Sequence, residues 1–250
     1  GNDHLGHGKS VQSKSEYGYF SDRYGNTCLI GDIHTLRQRI AAKYPDVPYF
    51  ILGHSMGSAL TRQYMELYGN GLAGVILIGV TADHSNLTLR LGRAICKVAA
   101  LFRGWHFRSK LVDNMAIGAY NRHFKPAETR ADWVTSDPEK LQEYVHDPLC
   151  SFMFTVNAYY NMLLGMQKIK CKEAVFMIPK TLPLLLAAGS DDPVGAFGKG
   201  VRKIFERYKR AGIKDITLQL YPGDRHELLN ETDRQQIYED LYVWLEERIK

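Results

Sequence analysis

The chain of 250 residues has no apolar run long enough to cross a membrane, and its first residues carry no signal-peptide pattern. Its four cysteines, Cys28, Cys96, Cys150 and Cys171, are far apart and form no C-x-x-C pair. That spacing argues against a disulfide framework or a zinc ribbon and suits free thiols in a reducing compartment. A cytoplasmic protein, at most peripheral to a membrane, is expected. The sequence also lacks an H-E-x-x-H helix, a dinucleotide fingerprint and a Walker loop, so neither a metal nor a cofactor is expected. His4 and His7 bracket Gly6, but they read as turn residues rather than as a metal pair. A net charge of +5 is too small to argue for a nucleic-acid partner, and no nucleic-acid-binding signature accompanies it. There is no internal repeat and no low-complexity tract.

What is present is a composition of 45% hydrophobic and 24% charged residues, enough for one globular domain with a sizeable core and an inserted subdomain. Strand-like apolar runs at 48–52, 73–79, 182–188 and 215–220 alternate with helix-like segments at 28–43, 56–68, 197–210 and from Thr232 onward. The last is expected to open on a capping box, with Gln235 three positions after Thr232. Strands alternating with helices point to an α/β fold built on a mostly parallel sheet with helices on both faces. Between about 84 and 180 the strand rhythm gives way to helix-like segments, many of them basic or aromatic. The expected organisation is a first core part at 1–83, an inserted helical block at 84–180 and a second core part at 181–250.

The chemistry centres on Gly53-His54-Ser55-Met56-Gly57, a G-x-S-x-G pentapeptide between an apolar strand and a helix. This is the context of a nucleophile elbow. Ser55 would sit on a strained turn, where a Cβ on either flanking glycine position is expected to clash. The helix after it aims backbone N–H groups at the site, and Met56 N–H is the candidate oxyanion donor. A serine hydroxyl needs a base and an acid to orient that base, in the chain order Ser, Asp or Glu, His. His226, in the polar loop Pro222-Gly223-Asp224-Arg225-His226-Glu227, is the histidine that lies beyond the last strand. For the acid, Asp191 and Asp192 both follow the run at 182–188, and Asp83 follows the run at 73–79. Position along the loop does not choose between Asp191 and Asp192.

These pieces resemble the monoacylglycerol lipase, lysophospholipase and serine aminopeptidase-like branch of the α/β-hydrolases. The resemblance rests on Asp3-His4-Leu5-Gly6-His7-Gly8-Lys9-Ser10, on Gly53 to Gly57, on Gly189-Ser190-Asp191-Asp192-Pro193-Val194-Gly195 and on Gly223-Asp224-Arg225-His226-Glu227. The pieces fall in the family's order and cover nearly the whole chain. Asp147-Pro148-Leu149-Cys150 resembles the bacterial lysophospholipase-like members. The resemblance implies an α/β-hydrolase fold with a helical cap at 84–180. It selects Asp192, the fourth residue of the G-x-x-D loop, as the acid. It further implies a serine esterase for lipid-like monoesters, with amide or peptide hydrolysis as the alternative activity. The absence of the family's oxyanion loop motivates the alternative class, an inactive truncated hydrolase acting as a binding module.

One departure is large. Family members carry early strands and a His-Gly oxyanion loop before the segment that matches His4 to Ser10. The expectation is therefore that N-terminal strands are missing from this chain and that residues 48–52 form an edge strand. Leu91, Ile95, Val98, Ala99, Leu101 and Phe102 of the cap stand among Arg90, Arg93, Lys97, Arg103, Arg108 and Lys110. Packing of their apolar face on the body is expected, with transient contact to a membrane surface as the other reading. Phe152, Phe154, Tyr159 and Tyr160 are candidates for lining an acyl pocket, with packing in the core of the cap as the equal alternative.

Overall fold

The four apolar runs form one parallel sheet in a computed structural model that describes residues 1–249. The strands are β1 (Phe50–His54), β2 (Gly74–Ile78), β3 (Leu184–Gly189) and β4 (Ile216–Tyr221), hydrogen-bonded in the order β1-β2-β3-β4. Every residue of β2 and β3 is buried, which is why both read as unbroken apolar runs. The helices are α1 (Gly25–Lys43) and α2 (Met56–Tyr68), then α3 (Asn86–Arg103), α4 (Lys110–Asp113), α5 (Pro138–His146), α6 (Val156–Lys168) and α7 (Lys172–Met177) between β2 and β3. After the last two strands come α8 (Lys199–Arg210) and α9 (Arg234–Glu246).

Alternation along the central strands divides the core into two layers. Val75, Leu77, Leu184 and Leu186 pack against Leu29 of α1, Tyr64 of α2 and Ile204 of α8. Ile76, Ile78 and Leu185 face the other way, onto Ile237, Leu241 and Trp244 of α9. Helices therefore cover both faces. β1 pairs with β2 alone and is one of the two edges of the sheet, with Leu52 49% exposed. An apolar edge of this kind is a surface that other proteins keep covered.

The block between β2 and β3 is sewn to the body by buried polar bonds. Asn157 of α6 accepts from Phe20 N–H at 3.2 Å, Asn161 accepts from Asn26 N–H at 3.0 Å, and the Thr155 hydroxyl donates to Gly18 O at 2.5 Å. α3 is the element that departs from expectation. Leu89 and Cys96 are buried, but Leu91, Val98, Leu101 and Phe102 are exposed, the last two at 80% and 77%. Its apolar residues span more of the helix than its neighbours cover, because α3 packs chiefly along one stripe against α6 of the same inserted block.

Two helix starts also differ from the sequence pattern. α1 begins at Gly25, after Tyr24 in a left-handed conformation, earlier than its apolar periodicity indicated. α9 begins at Arg234 with Asp233 as its N-cap and no side-chain cap bond. The Thr232–Gln235 capping box does not form, because Gln235 reaches forward to Glu239 on the solvent face instead.

The layering makes a graded prediction. Leu186→Ala, in a fully buried central strand, should lower the unfolding free energy by about 3 kcal/mol. Leu52→Thr on the open edge should change it by less than about 0.5 kcal/mol. Urea denaturation measures both, and equal losses would contradict the edge position of β1.

Candidate active site

The elbow follows from how closely α2 folds back on β1. A Cβ on Gly53 would lie 2.4 Å from Thr61 Oγ1 and 2.5 Å from Gly57 O, so only glycine allows the return. Gly57, by contrast, faces open space, and the clash expected there is absent. The strain concentrates on Ser55, which has φ 53° and ψ −118°. Its N–H donates to Ile78 O at 3.0 Å and so pins the turn to the end of β2. Met56 is the first residue of α2, so its N–H has no intrahelical acceptor.

Three strand ends converge on this turn. The loop after β4 delivers His226, which is buried, and its Nε2 accepts the Ser55 hydroxyl at 2.7 Å. The ring fits because Gly79, at the end of β2, has no Cβ; one would lie 2.8 Å from His226 Cε1. The loop after β3 delivers Asp192, fully buried, whose Oδ2 accepts from His226 Nδ1 at 3.0 Å. Its other oxygen accepts from Val194 N–H at 2.8 Å, which fixes the carboxylate plane. The β3 and β4 loops are themselves locked together: Asp191 N–H donates to Asp224 O at 2.8 Å, and Gly189 packs on that backbone too closely for any Cβ.

The other two candidate acids are engaged elsewhere. Asp191 is exposed and accepts from the Ser190 hydroxyl. Asp83 is held between the guanidinium groups of Arg62, 3.2 Å away, and Arg207. Those two cations keep its carboxyl below the ordinary range against the opposing effect of burial. His54, beside the serine, is hydrogen-bonded to the backbone oxygen of His226 at 3.3 Å. Burial, and secondarily the nearby His226, pushes its pKa down to about 4. A serine, an imidazole and a carboxylate joined in this sequence can move a proton off the hydroxyl and hold the resulting imidazolium.

Supports invisible in the sequence spacing come from the inserted block. The Trp133 ring lies 5.0 Å from the His226 ring, and Val134 O accepts from Glu227 N–H at 2.7 Å. Glu231, fully buried, accepts from Arg225 N–H at 2.8 Å and also from Ser136 N–H and its hydroxyl. These bonds tie residues 133–136 to the loop carrying His226. The Trp133-Val134-Thr135-Ser136 run has no catalytic pattern of its own, so only the tertiary fold reveals it.

Ser55 opens into a cavity of about 570 Å³ lined by Leu60, Leu89, Ile95, Val112, Ile117 and other apolar side chains. Of the four candidate aromatics, Tyr159 lines it. Phe152 and Phe154 pack on His7, and Tyr160 packs on Trp105. His7 accordingly belongs to an aromatic cluster, with its Nδ1 3.1 Å from Leu5 O. Among the described residues, no group of His, Cys, Asp and Glu side chains could hold a metal ion, and no helix is long and apolar enough to cross a membrane.

With this geometry in view, residues 1–233 match the family model described as serine aminopeptidase, S33. The chain belongs to that family. It is a hydrolase with the α/β-hydrolase fold. A monoacylglycerol lipase of Mycolicibacterium smegmatis is 25% identical over 97% of this chain and 76% of its own length. A monoglyceride lipase of Homo sapiens is 26% identical over 98% of this chain and 72% of its own. The crystal structure of a highly thermostable carboxyl esterase from Bacillus coagulans, in complex with glycerol, superposes with a TM-score of 0.90 at 29% identity, covering 99% of this chain and 80% of that one. The fold likeness thus extends over the elbow, the two core loops and the inserted block of this S33 chain.

The depressed His54 pKa has a stability consequence. The unfolded chain takes up a proton at this site near pH 6.5, whereas the folded chain resists until about pH 4. Stability from this residue is therefore complete above pH 6.5 and is lost as pH falls toward 4. His54→Gln should make the melting temperature fall less steeply between those two pH values than in the wild type, as read by differential scanning fluorimetry. An unchanged slope would mean that His54 is not buried as described.

Proposed function

We propose that the chain is a serine ester hydrolase that cleaves lipid-like monoesters, such as monoacylglycerols or lysophospholipids, through an acyl-enzyme. The observation that carries this reading is the unbroken Ser55–His226–Asp192 hydrogen-bond chain at the mouth of an apolar cavity. In the proposed reaction Ser55 Oγ attacks the ester carbonyl carbon while His226 Nε2 takes its proton. The carbonyl oxygen becomes an oxyanion facing Met56 N–H; one such donor is worth on the order of 100- to 1000-fold in rate. The tetrahedral adduct then expels the alcohol, which takes the proton from His226. Water next enters, gives a proton to His226 and attacks the acyl carbonyl; the acid leaves and Ser55 recovers its proton. Asp192 keeps the imidazole in the tautomer with Nδ1 protonated and stabilises the imidazolium.

The preference for esters of long acyl groups over amides is supported by the apolar lining, which offers little to a peptide backbone. In this proposal residues 84–180 act as a cap over the body formed by 1–83 and 181–250. The exposed Leu91, Val98, Leu101 and Phe102 of α3, flanked by Arg90, Lys97 and Arg103, would rest transiently on a membrane surface and admit substrate from it. A cytoplasmic, membrane-peripheral enzyme fits that arrangement.

Steady-state kinetics on a panel of monoacylglycerols, lysophospholipids and aminoacyl amides tests the reading. Ester turnover should be abolished in Ser55→Ala and lowered about 10⁴-fold in Asp192→Asn, with Asp191→Asn within about twofold of wild type. Turnover of amides alone would overturn the ester assignment, and an Asp191→Asn loss as deep as that of Asp192→Asn would overturn the acid.

A further inference from the structure

The acyl cavity has one polar wall. Asn26 of α1, Gln63 of α2 and Asn161 of α6 all line it, and all are more than nine-tenths buried. Asn161 is satisfied: its oxygen accepts from Asn26 N–H and its amide donates to Asn157 O at 2.9 Å. Asn26 differs: its Oδ1 is buried without a hydrogen-bond partner, and Gln63 stands beside it. They converge. A Cβ built on Gly165 of α6 would lie 2.6 Å from both Asn26 Nδ2 and Gln63 Nε2, so the glycine leaves the room that the two amides share. Carboxamides facing an apolar cavity are costly unless something in the cavity bonds them.

Their position fixes what they would meet. Met56, Ala59, Leu60 and Gln63 form one face of α2 along the cavity, and Gln63 lies about 12 Å along the helix from Ser55. An acyl group bound to Ser55 would pass the two carboxamides well down its chain, far from its carbonyl. We propose that the cavity selects acyl groups bearing a mid-chain hydroxyl, which accepts from the paired amide nitrogens and donates to the Gln63 oxygen, Asn26 Oδ1 being closed off from the cavity. This inference rests on the proposed esterase reading for its substrate, but the carboxamide pair itself does not. A hydroxyl is the group that satisfies both kinds of partner at once, since each carboxamide offers two donors and an acceptor.

Ricinoleic and oleic acids differ by one mid-chain hydroxyl, so their glycerol monoesters make the test. The wild type should show kcat/KM at least about tenfold higher for the ricinoleoyl ester. The ratio should fall in Gln63→Met and in Asn26→Leu, and reach one or below in the double variant, where a hydroxyl in the apolar cavity is unpaired. The ratio is internal to each preparation, so a variant of reduced stability still reports. Calorimetric binding of the two free acids to the wild type is the second measurement. Tighter binding of ricinoleate without turnover of either ester would reject the esterase reading and uphold this one. A ratio near one in both measurements, or a preference that survives both substitutions, would overturn it.

Discussion

The arrangement depends on one close approach: α2 returns across the end of β1 so tightly that no side chain fits at Gly53. That approach forces Ser55 into a positive φ and lifts its hydroxyl clear of the sheet. It also starts α2 beside the serine, so the orphan N–H of Met56 and the apolar face of the same helix are set by a single turn. Everything else in the site is delivered to this fixed point. β2 anchors the turn through Ile78 O, and Gly79 just after it leaves a slot for the imidazole. β3 and β4 end in loops bonded to each other, so Asp192 and His226 are held on one joined support.

The inserted block does more than cover the cavity. Trp133 and Val134 bear on the loop of His226, while Glu231 gathers Arg225 and Ser136 into one buried knot. Burying a carboxylate this way is tolerable because it accepts several hydrogen bonds. At the far side, α6 bonds to α1 and to the chain before it, so the cavity is walled by elements far apart in sequence. Its size and its polar wall are properties of that docking.

Much of the framework was legible because local rules and chain order constrain it. The pattern of apolar run, G-x-S-x-G and helix marked Ser55 as the candidate nucleophile, and the order of acid and base behind it narrowed the candidate base to His226. Continuous apolar runs marked β2 and β3 because both faces are covered there. Choosing between Asp191 and Asp192 was beyond spacing alone, since adjacent residues differ only in which way the loop turns; the resemblance made the choice, and in the structure Asp192 is the one turned inward. The capping box at Thr232 failed because Gln235 had a partner one turn ahead, in Glu239. The outward apolar face of α3 was not legible, because periodicity counts apolar residues without saying which of them find a neighbour. The same holds for Asn26, Gln63 and Trp133, whose significance arises only when distant helices meet.

The central claim is that the strained turn makes Ser55 the nucleophile. The most direct measurement is mass-spectrometric mapping of the adduct left by a fluorophosphonate probe on the folded chain. The account predicts one adduct per chain, on the peptide bearing Ser55, absent from Ser55→Ala and from protein unfolded before labelling. Modification of a different serine, or ester turnover that persists with Ser55 unmodified, would contradict it.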